Sequence, residues 1–263
     1  MIYPLNSLSA IACKGDNTQT FLQGQLTCDV NTLTASGHYS LAACCDHKGR
    51  MIANFWVVRR KNDFLFILPN DLRGIVIAHL QKYAVFSKVI LSSDDSIKIY
   101  AADDITVDTL KQSLNPDAIV ITLPNVKRHL IFNTSVGCDT PKDDSNWLAE
   151  NVNDGFALLS QNTSLLFTPQ MIGLERQGGV SFTKGCYVGQ EIVARTQHLG
   201  KLKRHLHHIQ FTHDRPLQAG DSLLNDQGEK IGVIVNALYQ EDKVNALAVI
   251  EDHALESIRK HVF

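Results

Sequence analysis

One amphipathic stripe, with the short apolar runs in front of it, sets the architecture. From about 71 to 84, Leu72, Ile75, Val76, His79, Leu80 and Tyr83 recur at i, i+3, i+4 and i+7, which puts one face of a helix against a core. Ahead of it, runs over 39–45, 50–59 and 63–68 read as strands. The first two are joined by Asp46-His47-Lys48-Gly49, whose Asp and Gly are turn residues, and the third ends at Pro69. A helix over 16–27 precedes them, capped by Asp16 or Asn17, with Phe21, Leu22 and Leu26 on its buried side. Strands are expected at 88–92 and 96–101, then a helix near 105–114 that Asn115-Pro116 stops. Helices packed on antiparallel strands give an α+β fold.

The polar stretch 140–145 reads as a connection between modules. After Gly200, apolar runs near 205–211, 231–235 and 244–250 are separated by Gly220-Asp221 and Asp226-Gln227-Gly228, a spacing that predicts a small β-barrel over 201–263. A chain of 263 residues has room for such modules around a sizeable core. Its formal charge of -2 argues against coating nucleic acid by bulk electrostatics and leaves room for a local basic patch. No basic, apolar leader and no run of about 20 apolar residues is present, so a soluble cytoplasmic protein is expected. The six cysteines, at 13, 28, 44, 45, 138 and 186, form no Cys-x-x-Cys and no Cys/His ladder. A reduced compartment follows, with no metal site or self-held cluster.

Chemistry concentrates in Lys184-Gly185-Cys186-Tyr187-Val188-Gly189-Gln190-Glu191. Gly185 and Gly189 permit backbone conformations, or close approaches, that a side chain blocks. Lys184, two residues from Cys186, favours the thiolate, the form that attacks or is oxidised. Gln190 and Glu191 offer an amide and a carboxylate, and Arg195 stands at salt-bridge spacing from Glu191 if this stretch is helical. The blander alternative is a buried thiol beside a tight turn.

The segment Gly179-Val180-Ser181-Phe182-Thr183-Lys184-Gly185-Cys186-Tyr187-Val188-Gly189-Gln190-Glu191-Ile192-Val193-Ala194-Arg195 resembles the signature of the folate-binding YgfZ family, in the superfamily of the glycine-cleavage T-protein, an aminomethyltransferase. Phe21–Thr27, Cys45–Met51, Lys82–Val89 and Phe167–Met171 match in order and spacing, so the likeness covers nearly the whole chain. It implies T-protein-like folate-binding domains with a C-terminal barrel, in a ring around a central channel. Residues 1–200 would form the folate-binding region, as intertwined subdomains over 1–45 with 125–200 and over 46–124. It also implies a tetrahydrofolate-dependent factor that maintains iron–sulfur enzymes, including the one that methylthiolates tRNA, with Cys186 as its key cysteine.

Two departures bear on chemistry. Where the T-protein carries an Asp-Asp pair, one of them catalytic at the folate, this chain has Ala53-Asn54, and an amide cannot take up a proton. Where relatives place a carboxylate toward the pterin, it has Asn153, an uncharged acceptor, and Asp154 substitutes only if the backbone turns it inward. Trp147 matches a tryptophan near the folate, so Trp147, Asn54 and Asn153 are the expected folate residues; ordinary core packing is the alternative for Trp147. Lys201-Leu202-Lys203-Arg204-His205-Leu206-His207-His208 reads as a solvated basic strand edge or a hold for a folate polyglutamate tail or an acidic partner, with a weak metal pattern at His205, His207 and His208. Rival readings are a folate-dependent one-carbon transferase and a folate-free interaction scaffold. Oligomeric state stays open.

Overall fold

A computed structural model describes residues 1–110, 114–115, 117–132, 144–225 and 227–254. Three antiparallel sheets carry the chain. The first joins β1 (Ile2–Pro4), β7 (Ile99–Asp103), β9 (Arg128–Phe132) and β8 (Ile119–Thr122), in that spatial order. The second holds β2 (Leu8–Lys14), β3 (Tyr39–Cys45), β4 (Met51–Arg59), β5 (Phe64–Pro69) and β6 (Ile90–Ser93), ordered β3-β4-β5-β2-β6. The third orders β10 (Arg204–Thr212), β13 (Lys243–Glu251), β12 (Lys230–Gln240) and β11 (Ser222–Leu224).

The central strands are apolar without alternation because both their faces are covered. Eight of the nine residues of β4 are buried. Helix α2 (Arg73–Ser87) packs on β2 and β4 and buries Val76, Leu80 and Ala84. On the face that carries Asn54 and Trp56, two residues apart, Trp56 stacks on Phe156 with ring centroids 5.4 Å apart. The expected stripe of α2 departs at its end. In its last turns Tyr83 is exposed and Ala84 takes the buried position, four residues on from Leu80.

Helix α1 (Thr18–Gln23) is shorter than the spacing predicts, because the chain leaves the helix at Gly24 and Leu26 then bridges to Cys44 of β3. Phe21, Leu22 and Leu26 are buried as expected. Helix α3 (Asp104–Leu110) begins where expected, and the rest of that segment to 113 lies outside the described residues, as does 140–143. Strands β8 and β9 were not foreseen from the sequence.

Two features bear on the expected modules. Positions 45 and 46 lie within the β3–β4 hairpin, which belongs to one sheet. The C-terminal strands lie near the predicted runs, but among the described residues no pairing closes β11 onto β10, so the unit is an open sheet and not a closed barrel. Helix α4 (Ser145–Asn153) and the irregular segment that follows it fix this sheet to the rest: Asn245 Nδ2 donates to Asn153 Oδ1 at 3.0 Å, and Asn236 Nδ2 to the Leu158 carbonyl at 3.0 Å.

Thr27, fully buried, knits three segments at once. Its Oγ1 donates to the Gly179 carbonyl at 2.6 Å and accepts from the Ala43 amide at 2.8 Å, while its carbonyl accepts from the Ser181 amide at 2.9 Å. Thr27→Val keeps the shape and orphans a buried amide and a buried carbonyl. It is expected to cost about 2 kcal/mol of unfolding free energy. An unchanged urea midpoint would show that Oγ1 does not hold these segments together.

Candidate functional site around the signature loop

The signature is laid over the end of α1 and locked there from below. Lys184 is buried, and its Nζ donates to the carbonyl oxygens of Gln23 at 2.6 Å, Leu26 at 2.7 Å and Cys28 at 2.7 Å. The first belongs to the last residue of α1 and the other two to the irregular chain beyond it, and an ammonium has three protons to give them. The same Nζ lies 5.0 Å from the Tyr187 ring centroid. Burial pulls the ammonium down to about 8, with Cys28 and Asp29 opposing that fall. The expected role of Lys184 beside the Cys186 thiol therefore changes: all three donors are spent on main-chain oxygens, and its first task is anchoring.

Gly189 supplies the second lock. It has φ +84°, and a Cβ there would stand 2.5 Å from the Asp46 carbonyl oxygen and 3.0 Å from the Cα of Gly49. Gly49, at φ +70°, meets the Ile192 side chain in the same way, at 3.1 Å. Two glycines thus let the hairpin turn and the signature touch backbone to backbone. At Gly185 an added Cβ meets nothing within 4 Å, so that glycine makes no such contact. From Gly189 the chain enters α5 (Gln190–His198), whose Glu191 and Arg195 form the expected i,i+4 pair at 3.8 Å on an exposed face. The Gln190 amide donates to the Tyr187 carbonyl at 3.1 Å.

Between these anchors Cys186 is exposed. Cys13, Cys28, Cys44 and Cys45 are buried, and burial pushes their thiols up, to about 12 for Cys13, about 11 for Cys28 and about 12 for Cys44. Cys138 lies outside the described residues. Tyr187 is buried with a hydroxyl that has no partner among the described residues, and burial raises its pKa, with Cys45 adding to the rise. The site therefore offers one accessible sulfur on a loop whose both ends are fixed, a geometry suited to nucleophilic or redox contact with an incoming partner.

The three expected folate residues do not gather around one cavity. Trp147 lines a cleft of about 570 Å³ with Asp71, Asn151, Leu158, Leu159 and Asn236. The Trp147 ring is itself buried, with the Arg128 guanidinium 4.9 Å from its centroid. Asn54 is fully buried and is not part of the lining. Its Nδ2 donates to the Ala157 carbonyl at 2.8 Å and its Oδ1 accepts from the Leu159 amide at 2.9 Å. It clamps the wall of the cleft from behind. Asn153 is exposed and bonded to Asn245, on the C-terminal sheet. Asp154 turns to Arg128, with 2.6 Å between carboxylate and guanidinium.

Sequence reading missed Asn236, which lines the cleft with a buried Oδ1 that has no partner among the described residues. A lone amide inside the apolar run Ile231–Ala237 was the available signal. It also missed Arg128, which ties Glu150, Asn151 and Asp154 together under Trp147. Of the histidines, His205 pairs with Asp252 and His208 with Asn245, each at 2.6 Å, and no three ligating side chains cluster among the described residues.

No family model matches the sequence. The tRNA-modifying protein YgfZ of Klebsiella pneumoniae is 31% identical over 279 residues, spanning 96% of this chain and 85% of the relative. That of Colwellia psychrerythraea is 33% identical over 263 residues, spanning 90% and 81%. The chain belongs to the YgfZ family. Among solved structures, the glycine cleavage system aminomethyltransferase T of Bartonella henselae superposes with a TM-score of 0.60 at 14% identity, covering 95% of this chain and 78% of that one. At that identity the likeness establishes the fold, an α+β T-protein architecture, and this member of the YgfZ family keeps it with Asn54 built into the wall.

Two outcomes check the site. In the native protein Cys186 is expected to react with a maleimide far faster than Cys13, Cys28, Cys44 or Cys45, as read by mass spectrometry of the labelled peptides; comparable labelling of the four would contradict their burial. Asn54→Asp places an acceptor where the Ala157 carbonyl needs a donor, and is expected to cost about 3 kcal/mol in urea unfolding. A neutral change would remove Asn54 from its clamping role.

Proposed function

We propose that this protein is a tetrahydrofolate-binding accessory factor in tRNA modification, which maintains iron–sulfur enzymes such as a tRNA methylthiotransferase. It meets them through Cys186, and it does not act as an aminomethyltransferase. The observation that carries the accessory reading over transfer chemistry is Asn54. Both ends of its amide are held by main-chain groups at 157–159, so the position has neither a proton acceptor nor freedom to turn toward a ligand. The names of the relatives favour a place in tRNA modification.

The cleft beside Trp147 has features that a pterin requires. A pterin is flat and presents a donor edge. Leu158, Leu159 and the edge of Trp147 offer apolar wall, and the unpartnered Oδ1 of Asn236 is an acceptor awaiting a donor. The lining holds no cation, so the glutamate carboxylates of the ligand would stay in solvent. When bound, tetrahydrofolate supplies a one-carbon carrier. The chain's own residues then do three things: Asn54 holds the wall in place, Asn236 orients the ring, and the anchored loop presents the Cys186 sulfur without reorganisation.

Calorimetric titration of the reduced protein with 5-formyltetrahydrofolate tests the folate reading. Saturable binding is expected, weakened about tenfold by Asn236→Ser, a loss of one ligand hydrogen bond. Trp147→Ala is expected to weaken it further. No heat at millimolar ligand, from protein shown to be folded, would sink the folate claim and favour the interaction scaffold.

A further inference from the structure

The hairpin turn that touches Gly189 on one side borders a groove on the other. One lobe, about 440 Å³, is lined by Lys48 and Arg50 of the turn, by Leu165 and Leu166, and by Arg204 and Lys230 at the near end of the C-terminal sheet. A second lobe, about 560 Å³, continues past Arg204 and Glu251 to Lys201, Lys203 and His253. The two lobes therefore share a wall and form one track. Six cations line it, Lys48, Arg50, Lys201, Lys203, Arg204 and Lys230, against two carboxylates, Asp46 and Glu251. In a chain whose formal charge is -2, this is a strong local separation of charge.

The carboxylates are already engaged. One oxygen of Asp46 accepts from the amides of Lys48 at 2.9 Å and Arg50 at 2.8 Å, and Glu251 accepts from Arg204 Nε at 3.0 Å. Lys48, Lys201, Lys203 and Lys230 have no ion pair among the described residues. Beside them Leu165 sits at φ +65°, a conformation that is costly for a bulky side chain and is held by its amide bond to the Met51 carbonyl at 2.7 Å. Strain of this kind is commonest where a chain is shaped for a ligand.

We propose that this groove is a docking track for the phosphodiester backbone of RNA. A single carboxylate or phosphate would leave most of six separated cations unmatched, whereas a strand with one charge per residue matches them in series. The cations of the groove meet phosphates and not base edges, so the contact positions RNA without reading its sequence. The choice of RNA over an acidic peptide rests on the tRNA-modification reading above; the charge of the groove does not.

The test is fluorescence anisotropy of a labelled, unmodified tRNA transcript with the full chain, across about 50 to 200 mM KCl. Wild type is expected to bind with an affinity that falls steeply with salt. Lys48→Glu/Lys230→Glu should bind at least about tenfold more weakly, with a log–log salt slope shallower by about 2. Lys98→Glu, in a separate cleft, should match wild type. Equal binding by the double variant, or binding of a labelled polyglutamate peptide in place of tRNA, would overturn the proposal. The tRNA-modification reading fails separately, if the wild-type chain does not restore methylthiolated tRNA in a deletion strain while the anisotropy result stands.

Discussion

A single buried ammonium organises this molecule. Lys184 reaches beneath the signature and takes one carbonyl from the last residue of a six-residue helix and two from the irregular chain that follows it. The helix is too short to be stable by itself, and the loop has almost no regular structure. Each is made definite by the other. Thr27 extends the same join to the edge strand of the central sheet, and the Val188 amide closes it on the Gly24 carbonyl at 3.2 Å. A burial of charge that is costly in isolation becomes tolerable because every proton has an acceptor.

With the loop anchored at Lys184 and at Gly189, what lies between has few choices. Cys186 is left outside while four other thiols are sealed in the core. The opposite solution operates at Asn54, where a polar group inside the sheet is held at both ends of its amide by main-chain groups. Exposure in one place and saturation in the other separate a presenting site from a structural one, although both residues stand out in the sequence.

The fold was largely readable because the strands are short, apolar and separated by turn residues. Run 39–45 coincides with β3, and 50–59 differs from β4 by one residue. The sheet containing β8 and β9 escaped notice because strands of four and five residues carry little periodic signal. Barrel closure was equally beyond reach, since it depends on pairing between the ends of a unit and not on any local pattern. At the site, side-chain directions were not readable. Lys184 is two residues from Cys186 in sequence, but its side chain runs beneath the loop to the end of α1. Asn153 faces the C-terminal sheet because its neighbour Asp154 is drawn to Arg128. Side-chain direction in a loop is set by partners far away in the chain, and one sequence does not display them.

The amide at position 54 also works as a ratchet. A carboxylate there cannot bond to Ala157 and Leu159 together, because the first contact needs a hydrogen that it does not have. Restoring an acid at this point would thus also require a different backbone path for 157–159, and those residues form a wall of the Trp147 cleft. A change of charge at position 54 is therefore coupled to the shape of the cleft that lies behind it.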